Sequence, residues 1–350
     1  MRHHVVAYGA VGMARATRMC AILAFVAGCG GRVSEDARGA RSEPKSPDSA
    51  PVCDATCTGR CADGRCLVTL ASRQGAPFSL VLDEHNVYWT NRDPGSVMKV
   101  PKTGGTPVML AGTNQPWAIA VDSERVYWTS PALRAVLTVP IDGGTVRALA
   151  EQLEEPFGLT VDANSVYFTN SPASSGSVQK IAKTGGAVTT LSAGGRRPWA
   201  IAVDGTNVYW ADIDAGTISK LALAGGAATP IADGQFGPIA LALDAGHAYW
   251  ANLERPTVMK VGITGGNVTQ IASQPVGDSI AGIAVDQQSV YWTMSHRNTV
   301  LKVALSGGTP TVVASGPELG DLGPSAIAVD ETSVYFTSMV EGTVIKVTPK

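Results

Sequence analysis

Side chains able to do chemistry are few in this chain, and their spacing narrows what they could do. Four of the six cysteines, Cys53, Cys57, Cys61 and Cys66, crowd into one stretch, CDATCTGRCADGRC. Such a cluster suits two chemistries: pairwise oxidation into two disulfides, or a four-thiolate zinc centre. The x3 and x4 spacings lack the C-x2-C knuckle of most zinc sites, so two disulfides are expected, in any of three pairings. Past residue 28 the histidines are His85, His247 and His296, widely separated along the chain. Seven aspartates recur, at Asp83, Asp122, Asp162, Asp204, Asp244, Asp286 and Asp330. A ring of carboxylates can hold a metal, but each of these precedes the same short turn and is expected to accept hydrogen bonds from it. No G-x-S-x-G, H-E-x-x-H or phosphate-binding loop is present. Four aromatic residues, Phe78, Trp117, Phe157 and Trp199, each stand directly after a proline. These four, with Arg197 at the same rim, are the candidate ligand-binding side chains.

The elements that must position them are written in a repeat. VYWT at 87–90 returns at 126–129 and 290–293, with VYFT at 166–169 and 334–337, VYWA at 208–211 and AYWA at 248–251. The preceding aspartates are separated by 39, 40, 42, 40, 42 and 44 residues. A period of about 40 residues with four short β-type runs per copy is the pattern of propeller blades. With 39 glycines, 21 prolines and only 16% charged residues, the expected fold is all-β, a seven-bladed β-propeller of four-stranded blades. The Ala-rich first run, as in AIAVD at 118–122, is assigned to the innermost strand, where blades converge and small side chains fit. The Tyr-Trp pair fills the diverging wedge between blades and is read as core. The seventh copy lacks Gly-Gly and a fourth run, while LVTLAS at 67–72 is an orphan strand ahead of the first copy. The N-terminal strand is therefore expected to complete the last blade, with the cysteine cluster at the seam.

The N-terminus carries Arg2, Arg15 and Arg18 followed by the apolar MCAILAFVAG, too short to span a bilayer. It ends in VAGC, Val26 to Cys29, which resembles a bacterial lipobox. That resemblance implies a lipoprotein signal peptide over 1–28 and lipid attachment at Cys29, with Gly30 resembling an outer-membrane address. Residues 29–52 are rich in Gly, Ser, Pro and charge, and are expected to form a disordered tether. A cysteine-rich module over 53–66 and a propeller over 67–350 follow. The expected location is the cell envelope of a double-membrane bacterium, exported and membrane-held through the lipid. Net charge is −2 with no basic block, so nucleic acid is not an expected partner.

The unit P-x-x-x-A-x-D-x-x-x-V-Y-W-T followed by Gly-Gly resembles the YWTD repeat of low-density-lipoprotein-receptor-type propellers, over about residues 67–350. VYWAD at 208–212 matches it best; elsewhere Asn91, Ser130, Asn170, Asn252, Met294 and Ser338 replace the last Asp. The family usually has six blades and its propellers are non-catalytic binding domains, which implies a binding role here. The aspartate helps knit neighbouring blades in that family, so any such network must be rebuilt in this chain.

Length variation says where binding would occur. Asp to Tyr is five residues in every copy, whereas the first Gly of a pair to the next Asp runs 18, 19, 19, 19, 21 and 23. Variation thus gathers on one face, formed by the second-to-third-strand loops and the blade-to-blade loops. Variable loops on a rigid scaffold are where binding usually resides. Phe78, Trp117, Phe157 and Trp199 stand there as an expected aromatic half-ring at the channel mouth, with Ile239, Ile280 and Ser325 near the equivalent positions. Rim charges, among them Arg92, Arg134, Asp214, Glu254 and His296, are of mixed sign. The expected function is non-catalytic recognition of an envelope protein, peptide or glycan, with no cofactor. The alternative is a metal-dependent enzyme. A seven-bladed ring also resembles virginiamycin B lyase, with lactonases as six-bladed relatives, which implies a metal and an acid or base at the channel mouth.

Overall fold

The computed structural model describes residues 53, 57–172, 175–275, 277–316 and 323–350. The expected signal peptide over 1–28, Cys29 and the expected tether over 29–52 lie outside the described residues. Seven antiparallel sheets are arranged in a ring. In blade one the strands run Pro77–Leu82, Asn86–Arg92, Gly95–Pro101 and Val108–Gly112, from the axis outward. The other innermost strands are Ile119–Val121, Pro156–Val161, Pro198–Val203, Pro238–Leu243, Ile280–Val285 and Pro324–Val329. Each of the seven touches the next around the axis, and the seventh touches the first. The protein is a seven-bladed β-propeller, and a short 3-10 turn, Ser295–Arg297, is its one helical element among the described residues.

The ring closes as the sequence predicts. The last blade takes its fourth strand, Arg65–Ala71, from the N-terminal side, antiparallel to Thr343–Thr348 with Leu67 opposite Val347. A fifth strand, Arg60–Ala62, is added outside it. Asp63 (φ 48°) and Gly64 (φ 73°) make the turn between the two, the left-handed pair that a two-residue hairpin requires. The cysteines pair as Cys53–Cys61 and Cys57–Cys66, with Cα separations of 5.6 and 5.5 Å. Disulfides in this N-terminal region mark an exported protein. They secure the hairpin against the outer edge of the closing blade.

The tetrapeptide repeats because each of its side chains has a fixed place. Trp89, Trp128, Trp250 and Trp292 are fully buried, as are most of the tyrosines. Each tyrosine hydroxyl donates to the aspartate five residues before it, at 2.6–2.9 Å. The other aspartate oxygen accepts two backbone N–H groups of the turn, as at Asp122 with Glu124 and Arg125. The ring of aspartates is thus consumed by turns and tyrosines. The threonine ends a different set of bonds, described below.

These contacts set an acid dependence. Burial raises the pKa of Asp83, Asp122, Asp204, Asp286 and Asp330, but hydrogen bonds from tyrosine, turn amides or lysine outweigh it and hold each carboxyl below its ordinary value. A depressed folded-state pKa contributes stability that is complete above the unfolded value, about 3.9, and is lost as pH falls through the folded value. Thermal melts are therefore expected to show no loss from these groups between about pH 7 and 5, then a falling Tm below about pH 4. A Tm unchanged down to about pH 2.5 would refute this assignment.

Candidate functional site

Six of the innermost strands break register just after their first residue, for example between Pro156 and Leu159 and between Pro198 and Ile201. A bulge there turns the second residue toward a new direction. In blades one, three and four that residue is Phe78, Phe157 or Trp199; in blade two, Trp117 lies just ahead of the strand. The bulge also orphans backbone groups, which must be satisfied in a buried setting. The threonine of VYWT does this. In blade three, Thr169 Oγ1 accepts Gly158 N–H at 2.8 Å and donates to the Trp199 carbonyl of blade four at 3.0 Å. Thr90, Thr129 and Thr293 make the same double contact to Trp117, Phe157 and Ser325 of the next blade. The repeated threonine therefore clasps neighbouring blades beneath the aromatic residues, and Ala211 and Ala251 occupy its place in blades four and five.

The four predicted aromatics come together. Trp117 touches Phe78 at 4.6 Å, Phe157 at 5.0 Å and Trp199 at 5.6 Å between ring centroids, each edge-to-face. Phe157 and Trp199 lie 4.5 Å apart. Phe78 is 0% exposed, Phe157 7% and Trp199 8%, while Trp117 is half-buried. The rings pack mainly on one another, and Trp117 alone keeps appreciable contact with solvent. Register places Ile239 and Ser325 at the equivalent points of blades five and seven. In blade six the equivalent is Ala281, because Ile280 pairs with Met294 as Pro77 pairs with Asn91. The channel mouth is therefore aromatic on blades one to four and small on blades six and seven.

Arg92 closes over this cluster. Its guanidinium carbon lies 4.3 Å from the Trp117 centroid and 5.1 Å from that of Phe78. Sequence shows Arg92 only as one rim charge among many; its contact with Trp117 joins two blades and leaves no local pattern. Arg197, a predicted site residue, pairs with Asp214 at 3.0 Å on the same rim. Its φ of 140° is unusual for a non-glycine residue.

In several blades the residue after the tetrapeptide anchors a loop, whereas Met294 of blade six is buried in the core. Asn91 donates to Gln74, Asn252 to Gln235 and Ser130 to the Asn114 carbonyl, all in the loop entering the same blade. Asp212 accepts the Arg196 amide at 2.7 Å and the Ala215 amide at 3.1 Å. With Asp212 so engaged and Asp214 paired to Arg197, these carboxylates do not fit a metal. No group of three His, Cys, Asp or Glu side chains among the described residues is placed to hold one. His296 lies in the Ser295–Arg297 turn, beside the Arg297–Asp278 pair.

No protein-family model matches this sequence, and no curated protein matches it. Among solved structures, virginiamycin B lyase from Staphylococcus aureus superposes with a TM-score of 0.69 at 13% identity, covering 81% of this chain and 98% of the lyase. A streptogramin B lyase gives 0.70 at 14% identity, covering 82% and 98%. The computationally designed protein Ika8 gives 0.59 at 16% identity, covering 81% and 98%. At such identities the likeness establishes the propeller and nothing about its chemistry.

Proposed function

We propose that this protein is a lipid-anchored envelope propeller whose variable face recognises a protein, peptide or glycan without catalysis. The observation that carries this reading is the convergence of four rings from four consecutive blades at the channel mouth, with Arg92 over two of them. Rings locked edge-to-face on a closed scaffold lose little freedom on binding, which favours recognition by a preorganised surface. The Val26–Cys29 motif and the tether behind it supply the anchor, and the disulfides agree with export. Mass spectrometry of the mature chain tests the anchor: a lipidated Cys29 at the N-terminus supports it, and an unmodified start elsewhere removes it.

Capture from envelope fractions tests the recognition role. A partner retained by the protein is expected to be lost with Arg197→Ala, on the exposed rim, and with Trp117→Ala. It is expected to survive Arg147→Ala on the opposite face, where Arg147 donates to the Lys183 carbonyl. Equal loss in all three variants, or no loss in any, would overturn the variable-face reading.

The second reading, a lyase-like enzyme at the same mouth, is favoured by the superposition on nearly the whole length of the streptogramin-type lyases. One solved lyase is a catalytically inactive His→Ala variant bound to quinupristin. In this chain His296 is the variable-face histidine available for an acid or base. Incubation with quinupristin, followed by mass spectrometry of the product, tests it; turnover abolished by His296→Ala would replace the recognition reading.

A further inference from the structure

Arg92 is half-buried, with its guanidinium stacked on two rings and no anionic partner among the described residues. Arg255 also stacks without an ion pair, 3.8 Å from the Phe236 centroid, but it is exposed and its ring is 39% exposed. Arg197 has Asp214, and Arg297 has Asp278. Arg134 donates to the Leu153 carbonyl at 2.6 Å. Arg92 instead spends the face of its guanidinium on Trp117 and Phe78. Its position is held from the backbone, because its N–H donates to the Ala76 carbonyl at 3.1 Å and Asp93 N–H donates to Gly75 at 3.0 Å. Burial lowers its pKa, with no acid opposing that shift.

A guanidinium whose face lies against a ring keeps its N–H edge free, and that edge matches a planar carboxylate in bidentate geometry. Partial withdrawal from water strengthens such a pair. We infer that Arg92, seated on Trp117 and Phe78, is the receptor for a carboxylate of a bound peptide segment, an Asp or Glu side chain or a chain terminus. This rests on the recognition role proposed above and names its ligand chemistry. The rings decide between peptide and glycan. A sugar needs an open aromatic face to stack on, and here Phe78, Phe157 and Trp199 are covered while Trp117 is engaged by three rings and a cation. The cluster is a base for Arg92 rather than a platform for a pyranose.

The test uses the full chain and three probes: acetyl-Gly-Glu-Gly-amide, its glutamine counterpart and free glucuronate. The readouts are the NMR signals of the Arg92 Nε–H and the Trp117 Nε1–H. The glutamate peptide is expected to shift both signals saturably, with the glutamine peptide at least about fivefold weaker. Arg92→Lys keeps the charge but loses the fork and the stack, and is expected to weaken binding about tenfold. Arg92→Gln is expected to abolish it; should that variant fail to fold, Arg92→Lys decides. Equal responses to the two peptides, or none, would overturn the site. Glucuronate binding at least as tightly as the glutamate peptide would overturn the peptide assignment. Partner capture that persists and remains sensitive to Arg197→Ala while the glutamate peptide fails would remove this inference and leave the recognition role standing.

Discussion

Deleting residues 53–72 is expected to leave a protein that aggregates rather than a propeller with one shortened blade. The deletion removes the fourth and fifth strands of blade seven, and with them the pairing of Cys66 through Ala71 against Val344–Thr348. Leu67, Leu70 and Ala71 leave the core, and each leucine is worth about 1.5–3 kcal/mol of burial. The strand Thr343–Thr348 then becomes an open edge whose unpaired N–H and C=O groups invite other chains. Its Lys346, which reaches across the seam to the Lys102 carbonyl at 3.2 Å, and Lys102, paired with Asp330 at 3.0 Å, lose the frame that aligns them. The matched control is Cys53→Ser with Cys61→Ser, which removes one crosslink and keeps the strand. That variant is expected to lose about 2–3 kcal/mol, as for closure of a short loop, and to stay soluble. Size-exclusion chromatography and thermal melts separate the two. A deleted protein that elutes like the intact one with an unchanged Tm would show that six complete blades hold the ring without closure.

This closure was legible in the sequence because a missing fourth run at one end and an orphan strand at the other are complementary defects. The blade count was legible for a similar reason: aspartate, tyrosine and glycine pair mark the same turn in each copy, and periodicity survives changes in loop length. The fifth strand was signalled by Asp63-Gly64 but hidden by the cysteines around it, which read equally well as a loop. The disulfide pairing was not readable, since four cysteines within one short segment can meet in any combination until a hairpin sets Cys61 opposite Cys66. For the candidate site, the proline-aromatic steps marked four side chains that the fold brings into contact at one end of the innermost strands. Their mutual packing depends on bulges, and a bulge is a relation between two strands that neither strand encodes alone. Arg92 was one of several rim charges of mixed sign for the same reason. The blade-to-blade use of threonine was also out of reach: VYWT shows that the residue recurs, while its acceptor lies on the next innermost strand.

That same threonine relay makes Gly158 a sensitive small residue near the site. A Cβ at Gly158 would fall 2.1 Å from the Trp199 carbonyl oxygen and 3.0 Å from Thr169 Oγ1. Neither atom is the tip of a flexible chain. The oxygen belongs to a bulged strand, and the hydroxyl already bridges Gly158 N–H to that oxygen. Gly158→Ala must therefore separate blades three and four, break the bridge, or both, and a cost of about 3 kcal/mol or more is expected. At Gly282, in the equivalent place of blade six, the clash is milder, 2.8 Å to the Ser325 carbonyl, and Gly282→Ala is expected to cost less. At Gly205, in the turn before Asn207, an added methyl would meet no atom within 4 Å, so Gly205→Ala is expected to be neutral or slightly stabilising. The order of melting temperatures should be Gly158→Ala below Gly282→Ala below Gly205→Ala. Only the first should disturb the site, because Trp199 touches both Phe157 and Trp117, and displacement of its backbone carries the ring with it. Near-ultraviolet circular dichroism reads that displacement directly. A Gly158→Ala protein with a native aromatic spectrum and the stability of Gly205→Ala would mean that the bulges yield easily, and that the rings beneath Arg92 are not the rigid base that recognition at this face requires.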